Sequence, residues 1–128
     1  MDYFSSNSML LMEKSMNYLW TKQAAISDNI ANAETPGYKA KLVSFEDNLK
    51  EKLEKALLSN TPSRNARQVI GESQVLVTRQ EESTRMDDNG VNTTEQMVEL
   101  VRNAYQLQYV MNSISTDLAI LRTAVKGQ

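Results

Sequence analysis

Residues 27–41, SDNIANAETPGYKAK, decide how this chain is organised, because an apolar helical repeat meets a Thr-Pro-Gly turn there. Pro36 has a fixed backbone angle and disfavours helical geometry at the residue before it, so a helix arriving from the N-terminus must stop. Gly37 allows the left-handed conformation that a tight turn requires. Residues of these types would also suit an ordinary helix end.

Two asparagines before the turn indicate more than a helix stop. Asn29 and Asn32 lie three residues apart, hence on one helical face, where their amides can bond the turn backbone or a neighbouring chain. Asparagine is a poor helix former, which argues against a role in helix stability alone. The residues that we call the elbow motif are Asn29, Asn32, Thr35, Pro36, Gly37 and Tyr38.

Apolar residues recur near both ends at alternating spacings of three and four, which is the pattern of a coiled-coil seam. Gln23 takes the one polar position of the first repeat, and the second repeat is unbroken. Asn92 followed by Glu95 is a capping-box-like start for the second helix, and no other stop precedes Gly127. The predicted seam positions are Met9, Met12, Met16, Leu19, Ile26 and Ile30, and then Met97, Leu100, Ala104, Leu107, Met111, Ile114, Leu118, Leu121 and Val125.

The two seams have two possible interpretations. In the first, a plain antiparallel helical hairpin buries one seam against the other. In the second, both seams also pack between subunits, for which methionine provides an adaptable surface. The spacing favours coiled-coil packing in either case and does not identify the partner.

The middle of the chain contains a third predicted helix and a less regular region. Ser44 can cap this helix, and opposite charges at helical spacing give it a solvated face. Residues 60–90 are polar with β-like runs at 69–70 and 75–78, which predicts a small, partly flexible β-containing module or a mobile loop. The apolar side of the third helix comprises Phe45, Leu49, Leu53, Ala56 and Leu57.

The predicted fold class is mainly α, with long N- and C-terminal helices in a coiled-coil hairpin, a third helix and a small β-containing middle region. A length of 128 residues predicts a single structural domain. Its regions are an N-terminal coiled-coil helix at 1–35, an elbow with a short helix and β/loop module at 36–91, and a C-terminal coiled-coil helix at 92–128.

Composition argues against several classes of function. A net charge of −2 gives no electrostatic basis for binding nucleic acid or an anionic membrane. The sequence has no cysteine and no histidine, which removes thiolate nucleophiles and the commonest metal ligand and acid/base group. The adjacent acids at 81–82 and 87–88 have no evident basic or metal partner. We therefore expect no enzyme activity, catalytic residue, metal, cofactor or small-molecule substrate.

Both ends of the chain resemble bacterial flagellar rod proteins. The segment NIANAETPGYK is similar to the N-terminal motif that flagellar rod and hook proteins share, including its Thr-Pro-Gly-Tyr run. The segment VNTTEQMVELVRNAYQLQYVMNSISTDLAILRTAV resembles the C-terminal helix of rod proteins, with residues 95–105 most similar to a proximal rod subunit. The two regions cover about half of the chain, and the short middle suits a proximal rod subunit better than a hook or distal rod protein.

This resemblance implies a structural subunit of the flagellar basal-body rod that assembles through its terminal helices, transmits torque and lines the export channel. It also implies that the elbow motif contributes to contacts between subunits. The implied partners are copies of itself, other rod subunits, and the rod adapter at the membrane ring and export gate. We expect location in the periplasm-spanning rod, after flagellar type III export without a cleaved signal peptide. The alternative is a cytoplasmic helical adaptor or secretion chaperone that binds a partner helix in a groove.

Overall fold

The computed structural model describes residues 7–81 and 90–127, which form four helices and two short strands. The strands pair antiparallel, with Lys41 opposite Arg79 and Ser44 opposite Leu76. This confirms a mainly α fold with long terminal helices and a small sheet in the middle. The elements are α1 (Asn7–Ala31), β1 (Lys41–Ser44), α2 (Glu46–Leu57), α3 (Pro62–Glu72), β2 (Leu76–Arg79) and α4 (Thr93–Lys126).

The first and last helices form an antiparallel hairpin. Asn103 of α4 bonds the backbone of Leu19 in α1, and Asn29 near the end of α1 bonds Gln96 near the start of α4. Asn7 is twelve residues before Leu19, so it lies level with roughly residue 115 of α4 at equal rise per residue. About three turns of α4 therefore project beyond the first residue of α1.

Local signals fix both ends of α4, as predicted. Asn92 is the N-cap, and its side-chain oxygen accepts a hydrogen bond from the Glu95 N–H at 3.3 Å. Gly127 ends the helix in the left-handed conformation, with φ of +68°. The Asn92 side chain and the Gly127 backbone each give a hydrogen-bond partner to backbone groups at a helix end, which would otherwise lack one.

The core lies where α1, α2, α3 and α4 converge. The rings of Tyr18 and Phe45 stack with centroids 5.5 Å apart. Burial of such apolar surface is the main favourable contribution to folding. The buried members of this cluster are Tyr18, Leu19, Phe45, Leu49, Ile70 and Leu107.

The middle region differs from the sequence prediction in one element. Residues 62–72 form helix α3, whereas the sequence predicted a loop or β-like runs there. Ala66 and Ile70 are one helical turn apart and both buried, so packing outweighs the β propensity of the valine–isoleucine pair. Lys14 of α1 donates hydrogen bonds to the Gly71 and Ser73 carbonyls at the C-terminal end of α3. The positive charge also suits the negative end of a helix dipole.

Helix α2 and strand β1 require two smaller corrections. Ser44 is the last residue of β1 and does not cap α2; Phe45 occupies the N-cap position without a side-chain hydrogen bond. Phe45, Leu49 and Ala56 are buried as predicted, whereas Leu57 is mostly exposed. The strand predicted at 75–78 is present as β2, and the part of the predicted module at 82–89 lies outside the described residues.

The unequal burial of leucines along α4 gives a stability prediction. Leu107 is 8% exposed within the core cluster, and Leu118 is 49% exposed. Leu107→Ala should lower the free energy of unfolding by about 2–5 kcal/mol, because it removes buried methyl groups and leaves a cavity. Leu118→Ala, the matched change on the same helix, should alter it by less than about 1 kcal/mol. Urea denaturation followed by circular dichroism measures both, and equal losses would contradict this core.

Candidate assembly site at the elbow and terminal helices

Asn29 joins four parts of the fold at the elbow. Its side chain is 1% exposed. Its amide nitrogen donates to the Lys41 carbonyl and to Gln96 Oε1, both at 2.9 Å. Its amide oxygen accepts from the Lys41 N–H at 2.8 Å and from the Tyr38 hydroxyl at 3.2 Å. All four hydrogen-bonding positions of the amide are used, so one side chain connects α1, the elbow, β1 and α4.

The rest of the elbow motif builds the turn itself. Asn32 donates from its amide to the Asp28 carbonyl at 2.8 Å and accepts from the Thr35 hydroxyl at 3.2 Å. Gly37 has φ of +71°, which confirms the predicted left-handed turn residue. Thr35, Pro36 and Gly37 are exposed. The motif therefore has a structural part around Asn29 and an exposed part at the turn.

A second small core connects the elbow to the start of α4. The N–H of Gly90 donates to the Tyr38 carbonyl at 2.9 Å. Ala33, Ala40 and Val91 are buried together, with Tyr38 packed against them. The elbow thus fixes where α4 begins relative to the end of α1.

The predicted N-terminal seam lies largely on the face of α1 that contacts the rest of the chain. Leu19 and Ile26 are buried, and the other members are half-buried. Those half-buried members are Met9, Met12, Met16 and Ile30.

Helix α4 divides the predicted C-terminal seam into two rows. The row that faces α1 passes through the predicted positions Leu100, Leu107 and Ile114, which are buried or half-buried, and Leu121 is half-buried further along α4. The alternate predicted positions are exposed, and residues one position earlier take their places in the hairpin. We call the exposed set the outer row: Met97, Ala104, Met111, Leu118 and Val125. The residues that replace the first three of them toward α1 are Gln96, Asn103 and Val110.

Asn103 is the functional residue that the sequence reasoning missed. It is 0% exposed, and its amide nitrogen donates to the Leu19 carbonyl at 3.0 Å and to Gln23 Oε1 at 2.7 Å. The apolar repeat favoured its neighbour Ala104. The signal that could have found it is Gln23, the polar position in the opposite seam, which needs a buried polar partner.

Trp20 lies beside the outer row. A shallow groove of about 370 Å³ runs between α1 and α4, and Trp20 is 56% exposed there. The groove is lined by Trp20, Gln23, Ala104, Leu107, Gln108, Met111 and Asn112.

Three ion pairs of the described residues lie on the same surfaces. Lys22 of α1 contacts Glu99 of α4 at 2.9 Å, and Arg102 contacts the other Glu99 oxygen at 3.0 Å. Burial opposes the charge of Lys22, but the hydrogen bond with Glu99 and the electrostatic attraction of Tyr18 and Glu99 together outweigh it, so the pKa of Lys22 is raised. The same hydrogen bond lowers the pKa of Glu99. At the elbow, Lys41 contacts Asp28 at 2.5 Å.

A metal-ligating cluster and a membrane-spanning helix are both absent from the described residues. Residues 7–81 and 90–127 contain no group of three or more carboxylates that could hold a metal ion. None of the helices in this part of the chain is long and apolar enough to cross a membrane.

Comparison with known proteins identifies a family that part of this chain resembles. A family model described as "Flagella basal body rod protein" matches residues 15–39, which span the last two thirds of α1 and the elbow. The chain is thus similar to flagellar basal-body rod proteins at the site described above.

Similarity to individual proteins extends over nearly the whole chain. The flagellar basal body rod protein FlgB of Bacillus subtilis is 28% identical over 123 residues, which cover 95% of each chain. The FlgB proteins of Yersinia enterocolitica and Yersinia ruckeri are 28% and 27% identical, over 94% of this chain and 89% of theirs. The chain is thus similar along nearly its whole length to proteins named FlgB, and the resemblance seen in its termini is confirmed.

The junction at Asn29 gives a second stability prediction. Asn29→Ala leaves the Lys41 backbone and Gln96 without their buried partner, and each such group costs about 1–3 kcal/mol. We expect a loss of at least about 2 kcal/mol in unfolding free energy, with faster exchange of the Lys41 amide. Asn32→Ala is the control, because its side chain is half-buried and its amide bonds Asp28 and Thr35 in its own turn, and it should cost less than about 1 kcal/mol. Comparable losses for the two variants would contradict the central role of Asn29.

The Lys22–Glu99 pair predicts a contribution that depends on pH. The pKa of Glu99 is lower in the folded chain than its usual value of about 4.3, so the pair stabilises the fold above that pH. This contribution is lost as the pH falls through the folded pKa. The unfolding free energy should fall between about pH 5 and pH 3, and Glu99→Gln should make this fall smaller, by less than about 1 kcal/mol. In a chain that already carries Lys22→Met, Glu99→Gln should change the fall much less. If Glu99→Gln has the same effect in that chain, the pH dependence belongs to an interaction of Glu99 with another group.

Proposed function

We propose that this chain is a structural subunit of the bacterial flagellar basal body, in the proximal part of the rod. Its similarity to proteins named FlgB along nearly its whole length supports a structural rod role. It would act without catalysis, cofactor or small-molecule substrate, by packing its terminal helices against neighbouring subunits.

The outer row of α4 is the observation that carries this proposal. Within one chain, α4 places Asn103 and Gln96 against α1 and leaves more apolar side chains outside. Met97 is 53% exposed, Met111 and Leu118 are each 49% exposed, and Val125 is 77% exposed. They recur at heptad spacing, which is the pattern that packs against another helix. A second helix seated on this row would bury what the isolated hairpin leaves in water.

The projecting end of α4 supports the same conclusion. About three turns extend beyond the first residue of α1, and Leu118, Ile120 and Val125 are exposed within them. Isolated helical turns gain little stability without tertiary packing. Neighbouring subunits in a tubular assembly would supply that packing and would place α4 near the axis.

The other roles that we propose for this chain are those of a subunit located in the rod. The terminal helices would line the export channel and transmit torque along the rod. The chain would reach the growing tip by flagellar type III export without a cleaved signal peptide. Its partners would be copies of itself, other rod subunits, and the rod adapter at the membrane ring and export gate. The sequence contains no cysteine, so folding at the tip would need no disulfide.

Deletion of the gene tests the proposal directly. Basal bodies purified from the mutant should show membrane rings without a rod, and swimming should be lost. The wild-type gene should restore both. Intact rods and normal swimming would overturn the rod role. Loss of swimming with the protein retained in the cytoplasm would favour an adaptor or secretion chaperone.

A surface variant separates assembly from folding. Met111→Asp places a charge on the outer row, where burial against a partner helix would cost several kcal/mol, whereas the free chain keeps this position half in water. We expect near-normal unfolding free energy and no restoration of rods. Gln106→Asp, on an exposed position of α4 away from both the outer row and the projecting end, is the control and should restore rods. Normal rods with Met111→Asp would exclude the outer row from assembly.

A further inference from the structure

The two outer edges of the β1–β2 ribbon differ in whether other described residues bond to them. The outer edge of β1 is closed at Lys41, whose N–H and C=O both bond the Asn29 amide. This side chain takes the place of a neighbouring strand. The outer edge of β2 has no such cover among the described residues.

The hydrogen-bonding pattern shows which groups of β2 point away from β1. The Gln80 N–H donates to the Ala40 carbonyl at 2.9 Å, so these two residues form a hydrogen-bonded pair. Hydrogen-bonded and non-bonded pairs alternate along an antiparallel ladder. With Lys41 opposite Arg79 and Val43 opposite Val77, both of these pairs are non-bonded. The N–H and C=O groups of Val77 and Arg79 therefore point outward.

These outward groups face solvent in the described part of the chain. All four residues of β2 are exposed, and Val77 is 51% exposed. No hydrogen bond from residues 7–81 or 90–127 engages the outward backbone of Val77 or Arg79. A strand with such an open edge is a template for pairing with another segment. A two-stranded ribbon is also only marginally stable and gains from a third strand.

The side chains beside this edge indicate which side chains a third strand would need. Lys41 and Arg79 are directly opposite each other, and like charges in this arrangement repel. Asp28 neutralises Lys41, whereas Arg79 contacts no carboxylate within the described residues. An acidic side chain next to Arg79 would relieve the repulsion. On the same face, Val77 lies beside Val43 and offers apolar surface to the residue next to it.

We propose that the free edge of β2 binds an extended segment of a partner protein by strand addition. That segment places an apolar side chain beside Val77 and, two residues away, an acidic side chain beside Arg79. Main-chain hydrogen bonds to Val77 and Arg79 supply the affinity, and the alternating side chains supply the selectivity. This surface is separate from the outer row of α4, and its occupation does not depend on assembly of a rod.

A synthetic peptide tests the inference on the full-length chain. The probe is the capped heptapeptide Thr-Glu-Thr-Val-Thr-Glu-Thr, whose pattern reads the same in both directions and so suits either strand orientation. The control peptide has lysine at both glutamate positions. In NMR titrations of the labelled chain, the probe should shift the Val77 and Arg79 amide resonances and slow their exchange. It should bind about fivefold more tightly than the control, which corresponds to a cross-strand charge pair of about 1 kcal/mol.

Three variants keep the test decisive. Val77→Pro removes an outward N–H without removing a β1–β2 hydrogen bond, so it should abolish binding of the probe. The Leu42 and Thr78 amides should stay protected from exchange in this variant, which shows that the ribbon is intact. Val77→Ile should bind the probe normally. Arg79→Glu should reverse the preference toward the lysine peptide. The proposal is overturned by unshifted Val77 and Arg79 resonances at millimolar probe, by equal affinities for the two peptides, or by unchanged binding to Val77→Pro. None of these outcomes bears on the rod role, which the gene deletion tests separately.

Discussion

The buried amide of Asn29 is the interaction on which the arrangement of this chain depends. A helix, a turn, a strand and a second helix meet there, and each would leave a polar group without a partner if the amide were absent. Buried polar groups cost free energy when unpaired, so the amide selects the one arrangement in which all of them are satisfied. The Thr-Pro-Gly turn only ends α1, whereas Asn29 determines where the chain goes next and where α4 begins.

The pairing of α1 with α4 combines the apolar row of Leu100, Leu107 and Ile114 with polar residues beside it. Asn103 and Gln96 bond Leu19 and Asn29 and fix one alignment of the helices. A polar residue in a helical seam commonly specifies alignment at a cost in stability. Because these polar residues face α1, the outer row stays exposed in the single chain.

Features that rest on neighbouring residues were predictable from the sequence. Gly37, the Asn92 cap and the Gly127 end are each determined within one or two turns, and the structure has them where the sequence predicts. Helix α3 was missed because Val69 and Ile70 favour strands locally, and only the burial of Ile70 against other elements makes them helical. The choice between Ala104 and Asn103 likewise depends on Gln23, which is 80 positions away. For the elbow motif and the seams, the sequence identified the residues, while their contacts with other subunits stay a prediction.

The two ends of the hairpin would respond differently to mechanical load. At the elbow end, the four bonds of Asn29 and the Gly90–Tyr38 bond lie close together, so a pull along the helix axes would strain them simultaneously, in shear. At the opposite end, α4 extends past Asn7, the first described residue of α1, and a sideways pull there would separate the described parts of the helices one turn at a time. Shearing several bonds at once requires more force than peeling them in sequence. The molecule therefore has a stiff end and a compliant end, and the stiff end is the one that carries the elbow.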